Sequence, residues 1–209
     1  MPSVRRLPPV YPQDQWLFLT WCLHGAVRSS QFPPPAKASA GQTFVWVDRQ
    51  LDMARTGPMF LRQDSIASLA VDSRHRGAEL GHYESATFVV MANHVHVLLL
   101  PKVSPSQLLK ALTGSTAHDA NRLLARTGEP FWQHESYDHW VRDECERDRV
   151  ESYIENNSVK AGLVGRAEEY RWSSAWSGPA VGMSADAART SACATEPAAS
   201  MFLPPDTLT

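Results

Sequence analysis

The chain has 209 residues, of which 43% are hydrophobic and 20% charged, with a formal net charge of −2. This length can bury the core of one domain and leave some chain over at the ends. No stretch reaches the roughly 18 uninterrupted apolar residues that a bilayer span needs, and the N-terminus lacks the apolar segment of a signal peptide. The composition therefore predicts a soluble, cytoplasmic protein with no membrane partner.

Charge is distributed unevenly along the chain. Residues 1–126 hold 13 Lys and Arg against 8 Asp and Glu, a balance of +5, whereas residues 127–209 hold 7 against 14, a balance of −7. The overall negative charge argues against indiscriminate coating of nucleic acid, although the front part permits a basic face. The three cysteines include no CxxC pair, so no structural zinc knuckle is predicted.

The first part of the chain predicts a strand, a loop and a helix. Residues 15–25 (QWLFLTWCLHG) are aromatic and β-branched enough for a strand. Residues 29–42 are rich in Pro, Ser, Ala and Gly, which predicts a loop, and the following TFVWVDRQLDMARTGPMF is ambiguous between a short strand and a helical turn. Apolar residues at helical spacing then predict a helix from Asp64, its N-cap, to about His75, with Gly77 as the stop.

A predicted hairpin and a second helix follow. Residues 82–90 and 94–100 are extended runs close enough together to pair as two antiparallel strands. Ser104 and Gln107 form a capping box, with Pro105 at the first helical position, and predict a helix to about residue 124.

The rest of the domain predicts one more strand and one more helix. Residues 137–141 suit a strand, and Asp143 with Glu146 caps a helix that runs to about residue 156. The resulting order is an α+β, ferredoxin-like βαββαβ sandwich with an added C-terminal helix. We divide the chain into a lead-in, residues 1–14, one domain, residues 15–172, and an Ala/Ser/Pro-rich tail, residues 173–209, which composition predicts to be mostly disordered.

Two histidines stand in the otherwise apolar run FVVMANHVHVLLL, residues 88–100. Side chains alternate across a strand, so His94 and His96 point to the same face and can converge on one metal ion. A single strand histidine is usually a core or surface residue, and H-x-H alone is a weak metal motif. It needs a third ligand, for which Asn157 is the candidate.

Asn157 lies four residues after Tyr153 in VESYIENNSVKAGLV, so the two side chains share one face of the predicted helix. The alternative is simple packing, because a tyrosine at the edge of an amphipathic helix usually keeps its hydroxyl in water and a terminal asparagine is usually a cap. Spacing alone leaves both interpretations open.

Three separated motifs resemble one family. FVVMANHVHVLLLP, GEPFWQHESYDHWVRDE and YIENNSVKAGLV are similar, in this order, to the REP-associated tyrosine transposases, relatives of the single-tyrosine HUH transposases of small insertion sequences. The resemblance spans roughly residues 15–172 and implies the ferredoxin-like fold. Ala92 and Ser158 depart from it, since the family commonly has proline at both positions.

The resemblance also implies roles for individual residues. His94 and His96 match the histidines that bind the catalytic divalent ion, Tyr153 matches the nucleophile, and Asn157 matches the third ligand. The implied reaction is cleavage and strand transfer of single-stranded DNA at REP-like palindromic hairpins, through a 5′-phosphotyrosine, with Mg²⁺ or Mn²⁺ and no nucleotide cofactor.

Contacts to DNA and the oligomeric state are less well specified by the sequence. Arg142 and Lys160 lie inside the matching motifs and are candidate contacts to DNA phosphates. Whether the protein acts as a monomer or a homodimer stays open.

Other functions were weighed against the transposase. A histidine-triad nucleotide hydrolase also has alternating strand histidines, but its third histidine would fall on Leu98. An amidohydrolase barrel uses H-x-H too, but needs about 250 residues. The remaining rival is a non-enzyme, a domesticated protein that binds DNA hairpins without catalytic turnover.

Overall fold

A computed structural model describes residues 14–26, 40–52, 56–134 and 136–178. These residues form a four-stranded antiparallel sheet in the order β2-β3-β1-β4. This is the strand order of a ferredoxin-like βαββαβ sandwich, so the predicted fold class is confirmed. The strands are β1 (Leu17–Cys22), β2 (Tyr83–Val90), β3 (His94–Pro101) and β4 (Tyr137–Trp140).

Alternate residues of the strands feed two separate cores. Leu17 and Leu19 of β1, with Val95 and Val97 of β3, pack on the side covered by α2 (Asp64–Glu79) and α3 (Pro105–Leu123). The intervening residues, among them Phe18 of β1 and Leu98 of β3, pack on the opposite side against α4 (Glu144–Glu155). The period-two alternation therefore places His94 and His96 on the α4 side, where Leu98 also lies.

One helix was not anticipated. Residues 40–52 form α1 (Ala40–Asp52), so the expectation of a loop to residue 42, followed by a short strand and a helical turn, is wrong for this stretch. Residues 29–39 of that expected loop lie outside the described residues. Two apolar contacts hold α1 against the rest of the domain. Half-buried Val45 packs against the core around Tyr153, and buried Leu51 packs beside Cys22. Tertiary packing rather than local propensity decides the helix.

The helix after α1 is longer than expected. Its N-cap is Gln63 rather than Asp64, and it continues past Gly77 to Glu79. Gly77 serves a different purpose, because a Cβ there would lie 2.7 Å from ring atoms of Tyr83. The glycine permits the close approach of the Tyr83 ring and does not end the helix.

The capping predictions for α3 and the C-terminal helix are confirmed. Ser104 and Gln107 form the reciprocal box at α3, and the Asp143 carboxylate accepts a hydrogen bond of 2.7 Å from the Glu146 amide at the start of α4. A break at Asn156 separates α4 from the short α5 (Asn157–Lys160). Within the described part of the chain, no helix is both long and apolar enough to cross a membrane.

A short segment covers the outer edge of β2. The Val90 amide donates to the Trp172 carbonyl at 2.8 Å, and the Ser174 amide donates to the Phe88 carbonyl at 3.0 Å. Ser173 is fully buried, so ordered structure continues past residue 172, where the predicted tail begins. This pairing occupies backbone groups that an open sheet edge would leave unpaired. Residues 179–209 of that tail lie outside the described residues.

Candidate active site

The two histidines of β3 meet at their Nε2 atoms. His94 and His96 are both fully buried, and their Nε2 atoms are 3.0 Å apart. Their ring centroids lie 4.6 Å apart. The predicted convergence of the pair on one point is therefore present in the structure.

Neighbouring side chains determine which histidine nitrogens face this point. The Asn93 amide nitrogen donates to the Leu51 carbonyl at 3.0 Å, so the Asn93 oxygen faces His94 Nδ1, 2.7 Å away. An amide oxygen can only accept, which places the His94 proton on Nδ1 and leaves the Nε2 lone pair facing His96. Thr20 Oγ1 lies 2.7 Å from His96 Nδ1 and can accept from it in the same way.

Asp48 of α1 completes a three-residue cluster that sequence reasoning missed. Its Oδ1 atom lies 3.0 Å from His96 Nε2 and 3.9 Å from His94 Nε2. The three side chains are buried, and one ligand atom from each lies within 4.8 Å of the others. Two imidazole nitrogens and a carboxylate oxygen are a donor set that fits a divalent cation. Little in the sequence indicated Asp48 as a ligand, because the residues of α1 were not predicted to form a helix.

Tyr153 is brought to the same cluster from α4. The residue is 6% exposed, and its ring centroid lies 5.8 Å from that of His96. Its hydroxyl donates a hydrogen bond to Asp48 Oδ2. Lys160 Nζ lies 4.2 Å from the centre of the Tyr153 ring. Two of the predicted metal ligands and the predicted nucleophile thus lie together, joined through a residue that was not predicted.

Asn157, the predicted third ligand, is fully buried at the first position of α5. Neither its amide oxygen nor its amide nitrogen has a hydrogen-bond partner among the described residues. A buried amide without partners is costly, so this side chain is one that a bound ion would satisfy. Its ligand role stays a prediction.

Burial and mutual proximity set the charges of the cluster. Burial and the neighbouring His96 lower the pKa of His94 to about 3, which keeps the ring neutral. Burial alone would raise the pKa of Asp48, but the nearby His96, His94 and Lys160 lower it below its ordinary value. Burial and the Asp48 charge raise the pKa of Asp52, one turn further along α1, to about 8. At neutral pH, His94 is therefore neutral and Asp48 ionised, whereas Asp52 keeps its proton.

Arg142, a candidate DNA contact, is engaged within the protein. Its guanidinium donates to both carboxylate oxygens of fully buried Glu146, with a shortest distance of 2.7 Å. His139 Nε2 lies 3.1 Å from the same carboxylate. A contact between Arg142 and DNA stays a prediction, since the structure gives this side chain a structural partner.

Comparison with known proteins agrees with the resemblance. The sequence model of the family described as "Transposase IS200 like" matches residues 74–157, the stretch that contains the histidine pair and Tyr153. No curated protein sequence matches the chain significantly.

Two solved structures are similar to the chain. A REP-associated tyrosine transposase bound to a REP hairpin is 17% identical, covers 94% of this chain and 99% of its own, and has a TM-score of 0.53. A putative transposase from Deinococcus radiodurans R1 is 19% identical, covers 73% of this chain and 97% of its own, and has a TM-score of 0.39. Residues 74–157 therefore match the IS200-like transposase family, within a chain that has the fold of a REP-associated tyrosine transposase.

Proposed function

We propose that this transposase cleaves and rejoins single-stranded DNA at hairpin-forming, REP-like sequences, with Tyr153 as the nucleophile and a divalent cation, Mg²⁺ or Mn²⁺, at the histidine pair. One observation carries the proposal: the Tyr153 hydroxyl is hydrogen-bonded to Asp48, whose other oxygen lies 3.0 Å from His96 Nε2. Nucleophile and candidate metal ligands therefore share one site. The family that residues 74–157 match supports the same reaction class.

The candidate ligands are His94, His96 and Asp48, with the buried amide of Asn157 as a further one. When bound, the cation would polarise the scissile phosphate and offset the negative charge that develops in the transition state. The protein holds both imidazoles in place through Asn93 and Thr20, so the ligand atoms are oriented before an ion arrives.

The covalent step exchanges one phosphodiester for another. The Tyr153 oxygen forms a bond to phosphorus while the bond from phosphorus to the 3′ oxygen of the preceding nucleotide breaks. The phenol proton leaves, and the released 3′ oxygen ends as a hydroxyl. The product is a 5′-phosphotyrosine, from which another 3′-hydroxyl can reclaim the DNA end, so no nucleotide cofactor is needed.

Access to Tyr153 requires a movement in the protein. The tyrosine is 6% exposed and both histidines are fully buried, with Asp48 of α1 and Tyr153 of α4 both against His96. A phosphate can reach the hydroxyl only when Tyr153 releases Asp48 and one of these helices shifts. DNA binding is proposed to supply the free energy for this opening.

The hairpin substrate is proposed from two sources of support. The similar solved structure is a REP-associated tyrosine transposase bound to a REP hairpin. Lys160, beside the Tyr153 ring, and half-exposed Arg142 are the proposed contacts to phosphates near the cleaved bond. A perfect duplex of the same sequence should resist cleavage, because its scissile phosphate is held within stacked pairs.

The test is the covalent protein–DNA adduct. Wild-type protein incubated with Mn²⁺ and a labelled single-stranded hairpin should give an adduct that survives denaturing electrophoresis. Tyr153→Phe should abolish it while hairpin affinity stays within a few-fold, since only the hydroxyl is deleted. Tyr137→Phe is the matched control, because Tyr137 is also an aromatic residue of the α4-side core.

Two outcomes would contradict the proposal. An adduct that persists in Tyr153→Phe and disappears in Tyr137→Phe would show that the nucleophile is wrongly assigned. Tight hairpin binding without any adduct in the wild type would favour the alternative, a domesticated hairpin-binding protein without turnover.

A further inference from the structure

Helix α1 is additional to the βαββαβ pattern, and its buried side carries acids. Val45, Asp48 and Asp52 are spaced by three and four residues, so they lie on one face of the helix. Val45 packs against the core around Tyr153, which shows that this face points inward. An inward face is normally apolar, because a buried carboxylate loses its hydration. Two carboxylates on this face require a partner.

The contacts of the two acids identify the partner they lack. Asp48 Oδ1 lies 3.0 Å from His96 Nε2, and Asp52 Oδ1 lies 3.8 Å from His94 Nε2. Both Oδ1 atoms are buried, and neither accepts a hydrogen bond of good geometry from a donor among the described residues. Asp48 is only 5% exposed, so water cannot replace the missing donor freely.

Two atoms of the set, His94 Nε2 and Asp48 Oδ1, are acceptors without a matching donor. Asn93 holds the His94 proton on Nδ1, which leaves a lone pair on Nε2 pointing toward the acids. His94, His96 and Asp48 each place one ligand atom within 4.8 Å of the other two, and Asp52 Oδ1 lies beside them, next to His94 Nε2. A cation would satisfy such a set, and a mixed nitrogen and oxygen set suits a divalent transition metal.

We infer that Asp48 and Asp52 are both ligands of the divalent cation, so that the ion ties helix α1 to strand β3. This inference rests on the metal site of the proposed function, which already includes Asp48, and adds Asp52 from the same helix, an element outside the βαββαβ core. Binding of the ion should stabilise α1 on the sheet, because two of its ligands belong to this helix.

Metal affinity provides the first test. The full chain, freed of metal with EDTA, is titrated with Mn²⁺ by calorimetry, alongside Asp48→Asn, Asp52→Asn and the control Asp72→Asn, an exposed residue of α2. We expect each α1 variant to bind Mn²⁺ at least about tenfold more weakly, which is the lower end of the loss seen when even an outer-shell partner is removed. Asp72→Asn should bind as the wild type does.

Hydrogen exchange provides a second test that does not depend on activity. Mn²⁺ should slow amide exchange across residues 40–52 in the wild type and leave it unchanged in Asp52→Asn. Should Asp48→Asn fail to fold, the affinity and exchange of Asp52→Asn decide alone, since Asp52 is the more exposed of the two acids.

The outcomes separate this inference from the proposed function. Wild-type Mn²⁺ affinity in Asp52→Asn, with α1 still protected by the ion, would overturn Asp52 as a ligand and leave the metal site of the proposed function. No Mn²⁺ binding by the wild type would overturn the inference as well. Formation of the Tyr153 adduct, measured separately, would then decide whether the proposed function stands.

Discussion

Two places in this fold bury carboxylates, and they treat them differently. Glu146 is fully buried, and its oxygens accept hydrogen bonds from the Arg142 amide at 2.6 Å, from the Arg142 guanidinium and from His139. In contrast, Asp48 and Asp52 each keep a buried oxygen without a hydrogen bond among the described residues. The first carboxylate is satisfied by the protein, whereas the other two are not.

The difference indicates what each place is for. A buried charge is tolerated when donors replace its lost hydration, and the Glu146 cluster meets that condition from its own residues. In the cluster of Asp48, Asp52 and the two histidines, Tyr153 donates to one Asp48 oxygen, but the Oδ1 atoms of both acids accept no hydrogen bond from the described residues. A satisfied carboxylate is structural, and an unsatisfied one beside imidazole lone pairs is a place for a cation.

The largest expected effect comes from removing the histidines. We predict that the double change of His94→Ala and His96→Ala abolishes Mn²⁺ binding and reduces adduct formation on the order of a thousandfold or more, the scale of removing the main electrostatic stabilisation of a transition state. The fold should persist, because Val95 and Val97 still pack on the opposite face of β3. Calorimetry and circular dichroism check the two parts. Unchanged Mn²⁺ affinity would contradict the metal assignment.

Replacing Glu146 tests whether the carboxylate that is paired within the protein contributes to stability and not to metal binding. We predict that Glu146→Gln lowers the free energy of unfolding by on the order of 3 kcal/mol at pH 7, because it leaves the donors of Arg142 and His139 poorly paired. Mn²⁺ affinity should stay within about twofold. Urea denaturation followed by fluorescence measures the stability. A loss of metal binding with unchanged stability would break the distinction between the two carboxylate sites.

The same variant should change the acid sensitivity of the protein. Burial alone would raise the pKa of Glu146, but hydrogen bonds from His139 and Arg142 lower it from the ordinary 4.5 to about 2. The unfolded state therefore binds more protons between these values, so stability present above about pH 4.5 is lost as the pH falls toward 2. The wild type should lose on the order of 3 kcal/mol over this range, and Glu146→Gln should lack that component.

A smaller effect on Mn²⁺ affinity is expected from replacing Thr20, which orients His96 but is not itself a proposed ligand of the cation. We predict that Thr20→Val weakens Mn²⁺ binding roughly tenfold, because His96 loses the partner that holds its Nδ1 side. The valine has a similar shape and suits a central strand, so stability should change little. Titration of Thr20→Ser, which keeps the hydroxyl, should give wild-type affinity. Equal weakening in both variants would point to packing instead.

The smallest effects separate the two candidate DNA contacts. We predict that Lys160→Ala weakens hairpin binding a few-fold, the loss of one phosphate contact, and lowers stability by at most about 1 kcal/mol through its contact with the Tyr153 ring. Arg142→Ala should instead cost about 1–3 kcal/mol of stability, because buried Glu146 loses donors. Hairpin affinity at two salt concentrations, measured beside unfolding, distinguishes them. Equal stability loss in both variants would contradict the assignment.

Much of the site could be predicted from local patterns. The alternation of β3 placed His94 and His96 on one face, as found, and helical periodicity placed Tyr153 at the edge of the buried stripe of α4, where the structure buries it. The capping residues at positions 104 and 143 marked two helix starts correctly, because a cap is satisfied within three residues of chain.

Helix α1 escaped the same reasoning for a physical reason. Its inward face carries Asp48 and Asp52 where an amphipathic helix would have apolar residues, and the aromatic and β-branched residues before them resemble a strand. No local pattern can reveal that these acids compensate for their burial by facing histidines more than 40 residues away in the chain. The hydrogen bond between Tyr153 and Asp48 spans 105 residues.

The sequence by itself therefore determined the elements whose signals repeat within a few residues: the order of the four strands and of the helices from α2 to α4, the histidine pair and the tyrosine helix. Only the tertiary structure decided which carboxylates join them, that the site is closed over Tyr153, and that Arg142 is paired with Glu146. Periodicity specifies which face a side chain occupies. Which groups contact that face depends on segments far away in the chain. The cost of burying a charged group there is offset only once the sheet has assembled and brought those segments together.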